Sequence, residues 1–280
     1  MIYSHTSLAL WNLCKRRWYH RYVLGQKEPP TINMAYSTHM VHGIIEEWIK
    51  PERQVARRMG HDEPIDFKTP WKAFQEEVGL DDETFNRSVL PLFTVGTSER
   101  ILTGFRGVAG AAETSFAAIE NRYEFALGQA RYVSKPDFIW TNPGASRTVD
   151  LKFETSAWPS STRPWPLKPL SPFNDQLLGQ AIAAGTDGFV RITFQGDRKS
   201  GKVNGPIIEE RLVDAQMRKE WLAETEATIA EIERWLASGA SFPKNDASDY
   251  AFGRLCSYYE QCKLGFQPKQ EEFPDAEGDR

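Results

Sequence analysis

The feature that most restricts the fold is a change of hydrophobic period near residue 115. Upstream of it apolar residues recur at helical spacing, and from Ser115 onward they fall in short runs cut by turn residues. A chain whose side-chain period moves from about 3.6 to 2 along its length is neither all-helical nor all-strand. The runs Phe116–Ala126, Tyr132–Trp140 and Thr148–Phe153 predict three short strands, separated by Gly128 and by Asn142-Pro143-Gly144, as an antiparallel meander. Beyond them the sequence predicts a helix capped by Asn174 or Asp175 and running to about Ala184, then strands at Gly188–Phe194 and Val203–Leu212. A long helix follows from Ala215 to about Ala237, with Leu222, Ile229, Ile232 and Leu236 on its apolar stripe. Upstream, Leu8, Leu10, Leu13, Trp18 and Tyr22 predict one amphipathic helix from Ser7 to about Val23, made cationic by Lys15, Arg16 and Arg17. A second helix is expected from about Ala35 to Ile49, ended by Pro51. The polar segment at about 51–114 reads as a helical insertion, and the acidic stretch 267–280 as a mobile tail. The expected class is α/β, a mixed central sheet flanked by helices plus that insertion.

Composition narrows the setting. With 280 residues, 26% charged side chains and a mean hydropathy of -0.51, the chain reads as globular, with no run of about 18 apolar residues to span a membrane. No basic-then-apolar leader opens it, so a cytoplasmic location is expected. A net charge of -4 excludes a blanket polycation but leaves room for a local basic groove. Three cysteines are too few for a disulfide framework at this length, so thiols or metal ligands are expected. There is no Gly-rich phosphate loop ending in Lys-Ser/Thr, which excludes a motor of that type.

The chemistry concentrates at Lys135-Pro136-Asp137-Phe138-Ile139-Trp140 and at Asp150-Leu151-Lys152, where Asp150 follows Asp137 by thirteen residues. Strand residues two apart face the same side, so Asp150 and Lys152 project together. A turn after Trp140 brings Asp137 alongside them on the neighbouring strand. Two carboxylates and a lysine suit Mg²⁺ or Mn²⁺ with a lysine placed to orient or deprotonate a water. The competing reading is an ordinary solvated strand face, which Asp-x-Lys often marks. His42 and Glu46, four apart on the second predicted helix, share a face, and a histidine there, taken alone, is more often structural.

These stretches, taken in order with Ser7, Cys14, Tyr19 and Tyr22 in the first helix and with Met40-Val41-His42-Gly43-Ile44-Ile45-Glu46, resemble the PD-(D/E)XK nuclease superfamily. The likeness is to its RecB-like exonuclease branch, which includes iron-sulfur nucleases of phages and CRISPR systems. The resemblance runs from Ser7 to Cys262 and leaves the helical insertion unmatched. It implies a restriction-endonuclease-like core and metal-dependent cleavage of DNA, on single strands or ends. It further implies that His42, Asp137, Asp150 and the Leu151 carbonyl hold Mg²⁺ or Mn²⁺, that Lys152 assists the water, and that Gln176 positions Lys152 or substrate. Glu120 is a weaker match to an acidic position. The family's Gln-x-x-x-Tyr motif is met only by Gln176, because residue 180 is Gln180.

Cys256 and Cys262, with Cys14 brought near by the first helix, form a possible soft-metal set, the alternative being three buried thiols. The resemblance implies a 4Fe-4S cluster in which one cysteine near the chain end is missing, its place aligned with Asp249, with Ser248 one step away, in a clasp at about 245–266. Lys15, Arg16, Arg17, Trp18 and Arg21 offer phosphate and base contacts, or else a solvated face with core aromatics. Two other functions fit parts of the chain. One is a non-catalytic DNA-binding subunit of a repair, recombination or CRISPR-adaptation complex, against which the intact Asp137, Asp150 and Lys152 argue. The other is a redox sensor in which the cysteines carry the function.

Overall fold

The computed structural model describes residues 1–26, 35–61, 63–78, 81–83, 94–109, 115–155, 175–196, 203–243, 250–251, 254–255 and 258. The chain divides into two compact units. The larger comprises Thr31–Phe125 and Val133–Trp221, and the smaller comprises Met1–Pro30, Ala126–Tyr132 and Leu222–Arg280. Among the described residues no helix is long and apolar enough to cross a membrane.

The larger unit is built on a five-stranded sheet of order β2-β5-β6-β7-β8. Its strands are β2 (Ser115–Ala117), β5 (Phe138–Asn142), β6 (Ala145–Thr155), β7 (Gly188–Gly196) and β8 (Val203–Leu212). All neighbours are antiparallel except β6 and β7, whose parallel pairing runs from Arg147 beside Gly188 to Thr155 beside Gly196. A parallel pair needs a crossover, and α7 (Asp175–Ala184) lies within it. The sheet is therefore mixed, as the sequence predicts. On one face, Val149, Leu151 and Phe153 of β6 join Val190, Ile192 and Phe194 of β7 in the main core. Residues of α3 (Ala35–Ile49) and α6 (Val95–Ala109) cover them, notably Ile44, Ile45, Trp48, Ile101 and Phe105. The expected second helix is α3, and the stretch read as an insertion carries α4 (Pro51–Arg58), α5 (Lys68–Val78) and α6. Pro51 ends one helix by opening the next, at whose first turn its missing N–H is not needed. At Gly188, where β7 begins, a Cβ would lie 2.2 Å from the Arg211 carbonyl oxygen, so the β7–β8 pair closes only over glycine.

The predicted meander differs from the observed order. Phe116–Ala126 divides into β2 and β3 (Tyr123–Leu127), because Ala118 and Glu120 take positive φ values of 54° and 51° and turn the chain between them. Tyr132–Trp140 divides into β4 (Ala130–Ser134) and β5, with Pro136 in the gap, where it cannot donate to a ladder. Strands β3 and β4 leave the main sheet and join β1 (Ile2–Ser4) in a three-stranded sheet of order β1-β4-β3.

The smaller unit also corrects the sequence reading. The single helix expected over Ser7–Val23 is two, α1 (His5–Leu13) and α2 (Lys15–Tyr22), broken where Cys14 adopts an extended φ of -161°. The break sets Trp11 and Trp18 edge to face at 5.3 Å, and Phe242 stacks on Tyr19 at 4.5 Å. Trp18 is fully buried, which places it in the core and not on a base-stacking surface. Lys15 pairs with Glu231 of α8 (Ala215–Ser238), and Arg16 donates to the Phe242 carbonyl at 2.9 Å. Ser7, which opens the family-like pattern, forms a capping box with Ser4.

A side chain closes the outer edge of β2. The Gln54 amide on α4 donates to the Phe116 carbonyl at 2.9 Å and accepts from the Phe116 N–H at 3.1 Å, standing in for one residue of a sixth strand. The same amide nitrogen donates to Ile49 at 2.6 Å. Replacing Gln54 with Ala leaves a buried N–H and two carbonyls without those partners, and the expected loss is about 3 kcal/mol. Urea unfolding of the purified variant checks this; a midpoint equal to that of the wild type would refute it.

Candidate active site

The candidate site forms where β6 outruns β5. The β5–β6 register ends with Phe138 opposite Val149, and the ladder continues by one further bond, from the Asp137 N–H to the Val149 carbonyl at 3.2 Å. At Leu151 the strand has no β5 residue opposite, and side chains take both backbone groups. The Asp137 Oδ2 accepts from the Leu151 N–H at 2.6 Å, and His42 Nε2 lies 3.2 Å from the Leu151 carbonyl oxygen. His42 Nε2 is also 3.5 Å from Asp137 Oδ2. The Leu151 side chain meanwhile anchors the same residue in the core.

Asp150 and Lys152 project together on the other face of β6, and Lys152 Nζ is 2.9 Å from Asp150 Oδ1. That oxygen also lies 3.5 Å from Gln176 Nε2, delivered by the first turn of α7. Asp150 is 3% exposed, whereas the Lys152 side chain is 39% exposed, so the lysine links a buried carboxylate to solvent. The structure thus brings Asp137, Asp150, Leu151, Lys152, His42 and Gln176 together in one unit. Gln180, one turn beyond Gln176, is buried, and its Oε1 has no hydrogen-bond partner among the described residues.

The electrostatics follow from burial. Desolvation pushes Asp137 up to about 6, with the Leu151 N–H and Lys152 opposing it. Desolvation also raises Asp150 well above the ordinary carboxylate range, against the attraction of Lys152. His42 is lowered, chiefly by burial, so its imidazole is neutral near pH 7. Two carboxyls that carry charge poorly, a neutral imidazole and an open peptide carbonyl make a hard oxygen and nitrogen donor set that fits a small divalent cation.

Sequence reasoning undervalued Glu46 and Glu120. Ligand atoms of His42, Glu46 and Glu120 all lie within 4.8 Å of one another, one set among the described residues able to surround a metal ion. Glu120 reaches this place because its positive φ turns the chain, and its N–H donates to the Asp137 carbonyl at 2.8 Å. Lys135 holds its carboxylate at 2.8 Å. The signal for Glu46 was its position four residues after His42 on one helix. Of the residues read as cluster ligands, Cys14 is a buried free thiol. Asp249, Cys256 and Cys262 lie outside the described residues, as does the Trp- and Pro-rich segment before α7.

Among curated proteins none matches the chain. Among the solved structures similar to it are two crystal structures. One is of SSO0001, at 12% identity, covering 93% of this chain and 98% of that one with a TM-score of 0.31. The other is of a "putative exonuclease" from Eubacterium rectale, at 14% identity, covering 85% and 92% with a TM-score of 0.33. Residues 2–263, which include every residue of the site just described, match the PD-(D/E)XK nuclease superfamily, and the chain belongs to that superfamily.

Proposed function

We propose that the protein is a Mg²⁺- or Mn²⁺-dependent deoxyribonuclease of the RecB-like branch, acting as an exonuclease on single-stranded DNA or DNA ends in recombination, repair or phage DNA metabolism. The observation that carries this reading is the convergence of Asp137, the Leu151 peptide and His42 beside the Asp150–Lys152 pair. His42, Asp137, Asp150 and the Leu151 carbonyl would hold the cation, which when bound supplies Lewis acidity at a phosphodiester. Lys152, half in solvent and fixed by Asp150, orients a water at the phosphorus and takes part in its deprotonation. Gln176 braces Asp150 from α7 and limits the positions open to Lys152. The cationic Lys152 also draws the phosphate backbone toward the carboxylates, which alone would repel it.

A 4Fe-4S cluster on Cys14, Asp249, Cys256 and Cys262 belongs to the same proposal, supported by the burial of a free Cys14 at the break between α1 and α2. Anaerobically purified protein is then brown and contains about four iron atoms per chain. Colourless, iron-free protein from that preparation removes the cluster.

With Mn²⁺ and end-labelled single-stranded DNA, Lys152→Ala is expected to cleave about 10²–10⁴-fold more slowly, the range for one acid–base or orienting group. Asp150→Asn is expected to be inactive while remaining folded. Wild-type rates in either variant would remove these residues from the chemistry.

The raised carboxyls set a pH dependence. Folded Asp137 keeps its proton to about 6, above its ordinary 3.8, so the native state binds the extra proton and stability from this group falls as pH rises through that interval. The full cost is present at pH 7.5, where a bound cation relieves it. Mn²⁺ should therefore raise the melting temperature more at pH 7.5 than at pH 5, and Asp137→Asn should raise that of the metal-free protein at pH 7.5. Equal Mn²⁺ shifts at the two pH values, with no gain from Asp137→Asn, would contradict the buried-charge account.

A further inference from the structure

His42 meets two carboxylates and a carbonyl from opposite edges of its ring. Nε2 faces the Leu151 carbonyl at 3.2 Å and Asp137 Oδ2 at 3.5 Å, whereas Nδ1 faces Glu46 Oε1 at 3.9 Å. A neutral imidazole has one N–H and one lone pair. Without a cation the Nε2–H donates to Leu151, as the shorter distance indicates. A cation held by Nε2 requires the lone pair there, and the ring proton must then sit on Nδ1. The imidazole is largely buried, with the His42 side chain only 16% exposed, so an Nδ1–H needs a protein acceptor. Glu46 is placed to be that acceptor. It is one helical turn further along α3, its side chain is 24% exposed, and its Oε1 is shut off from solvent. The separation exceeds a hydrogen bond, so the contact forms on a shift of one of the two side chains.

We infer that Glu46 is a positioning residue that accepts the Nδ1 proton of His42, and so selects the tautomer whose Nε2 binds the cation and whose departure frees the Leu151 carbonyl. The change moves one proton from Nε2 to Nδ1 of a neutral ring and leaves the charge of the pair unaltered. An anionic acceptor on Nδ1 also makes Nε2 a stronger donor to a metal. The inference rests on the reading of His42 as a metal ligand.

The test is calorimetric Mn²⁺ binding to the full chain as wild type, Glu46→Ala, Glu46→Gln and His42→Ala, each melted first without metal. Glu46→Ala should bind Mn²⁺ about 10–100-fold more weakly, the usual loss for an outer partner of a ligand histidine. Glu46→Gln, whose amide oxygen still accepts from Nδ1–H, should recover part of that affinity; melting temperatures should stay close to wild type. In protein labelled with ¹⁵N-histidine, saturation with diamagnetic Mg²⁺ should shift the His42 proton from Nε2 to Nδ1. Wild-type affinity in Glu46→Ala overturns the inference. So does Glu46→Gln binding as weakly as Glu46→Ala, which would make Glu46 a charge or direct ligand, or a Mg²⁺-saturated ring still protonated at Nε2. If Glu46→Ala does not fold, the Glu46→Gln affinity and the tautomer decide. Unchanged affinity in His42→Ala would instead remove the metal-ligand reading of His42 itself.

Discussion

The site depends on one unpaired stretch of backbone. Strand β6 continues past the end of β5, and at Leu151 two main-chain groups point where no neighbouring strand exists. A buried peptide left without partners is costly, and here Asp137 and His42 satisfy it with side chains drawn from a loop and from α3. The hydrogen bonds that hold the fold at this point are therefore made by side chains of the candidate site. The remaining arrangement follows from strand geometry. Alternation puts Leu151 in the hydrophobic core while Asp150 and Lys152 emerge on the opposite face, where α7 brings Gln176 to them.

That alternation is why much of the site was legible in the sequence. Asp150 and Lys152 are two apart on a strand, and the Asn142-Pro143-Gly144 turn fixes which residues of β5 come back beside β6. The boundaries of α3, α7, β7, β8 and α8 were legible for the same reason, because period and caps agree there. What escaped had no local signal. Ala118 and Glu120 turn the chain with positive φ, although neither is the glycine or asparagine that usually announces such a conformation. The extended Cys14 between α1 and α2 carries no breaker residue. Parallel pairing of β6 with β7 and the reach of Gln54 to Phe116 join residues far apart in the chain, and periodicity says nothing of distant partners.

Burial gives the two carboxyls their common property and also separates their surroundings. Asp137 is held by a backbone N–H, whereas Asp150 is held by the part-exposed ammonium of Lys152 and by Gln176. On the face below α7, Thr148, Thr193 and Gln180 are also buried, with side-chain oxygens that lack hydrogen-bond partners among the described residues. Asp150 thus shares its face of the sheet with buried polar atoms, whereas the aromatic core packs on the other.

The Gln54 clasp on β2 has a consequence for how molecules of this protein meet one another. A sheet edge exposes unpaired N–H and carbonyl groups that can recruit a strand from another chain. At β2 the glutamine occupies those groups at Phe116, so the edge is closed by a side chain that cannot extend a sheet any further. The opposite edge strand, β8, is much longer and carries Glu209, Glu210 and Arg211 in succession. One border is closed by occupying its hydrogen bonds and the other is guarded by charge, so among the described residues neither border of this five-stranded sheet is a ready template for growth when many copies are crowded together.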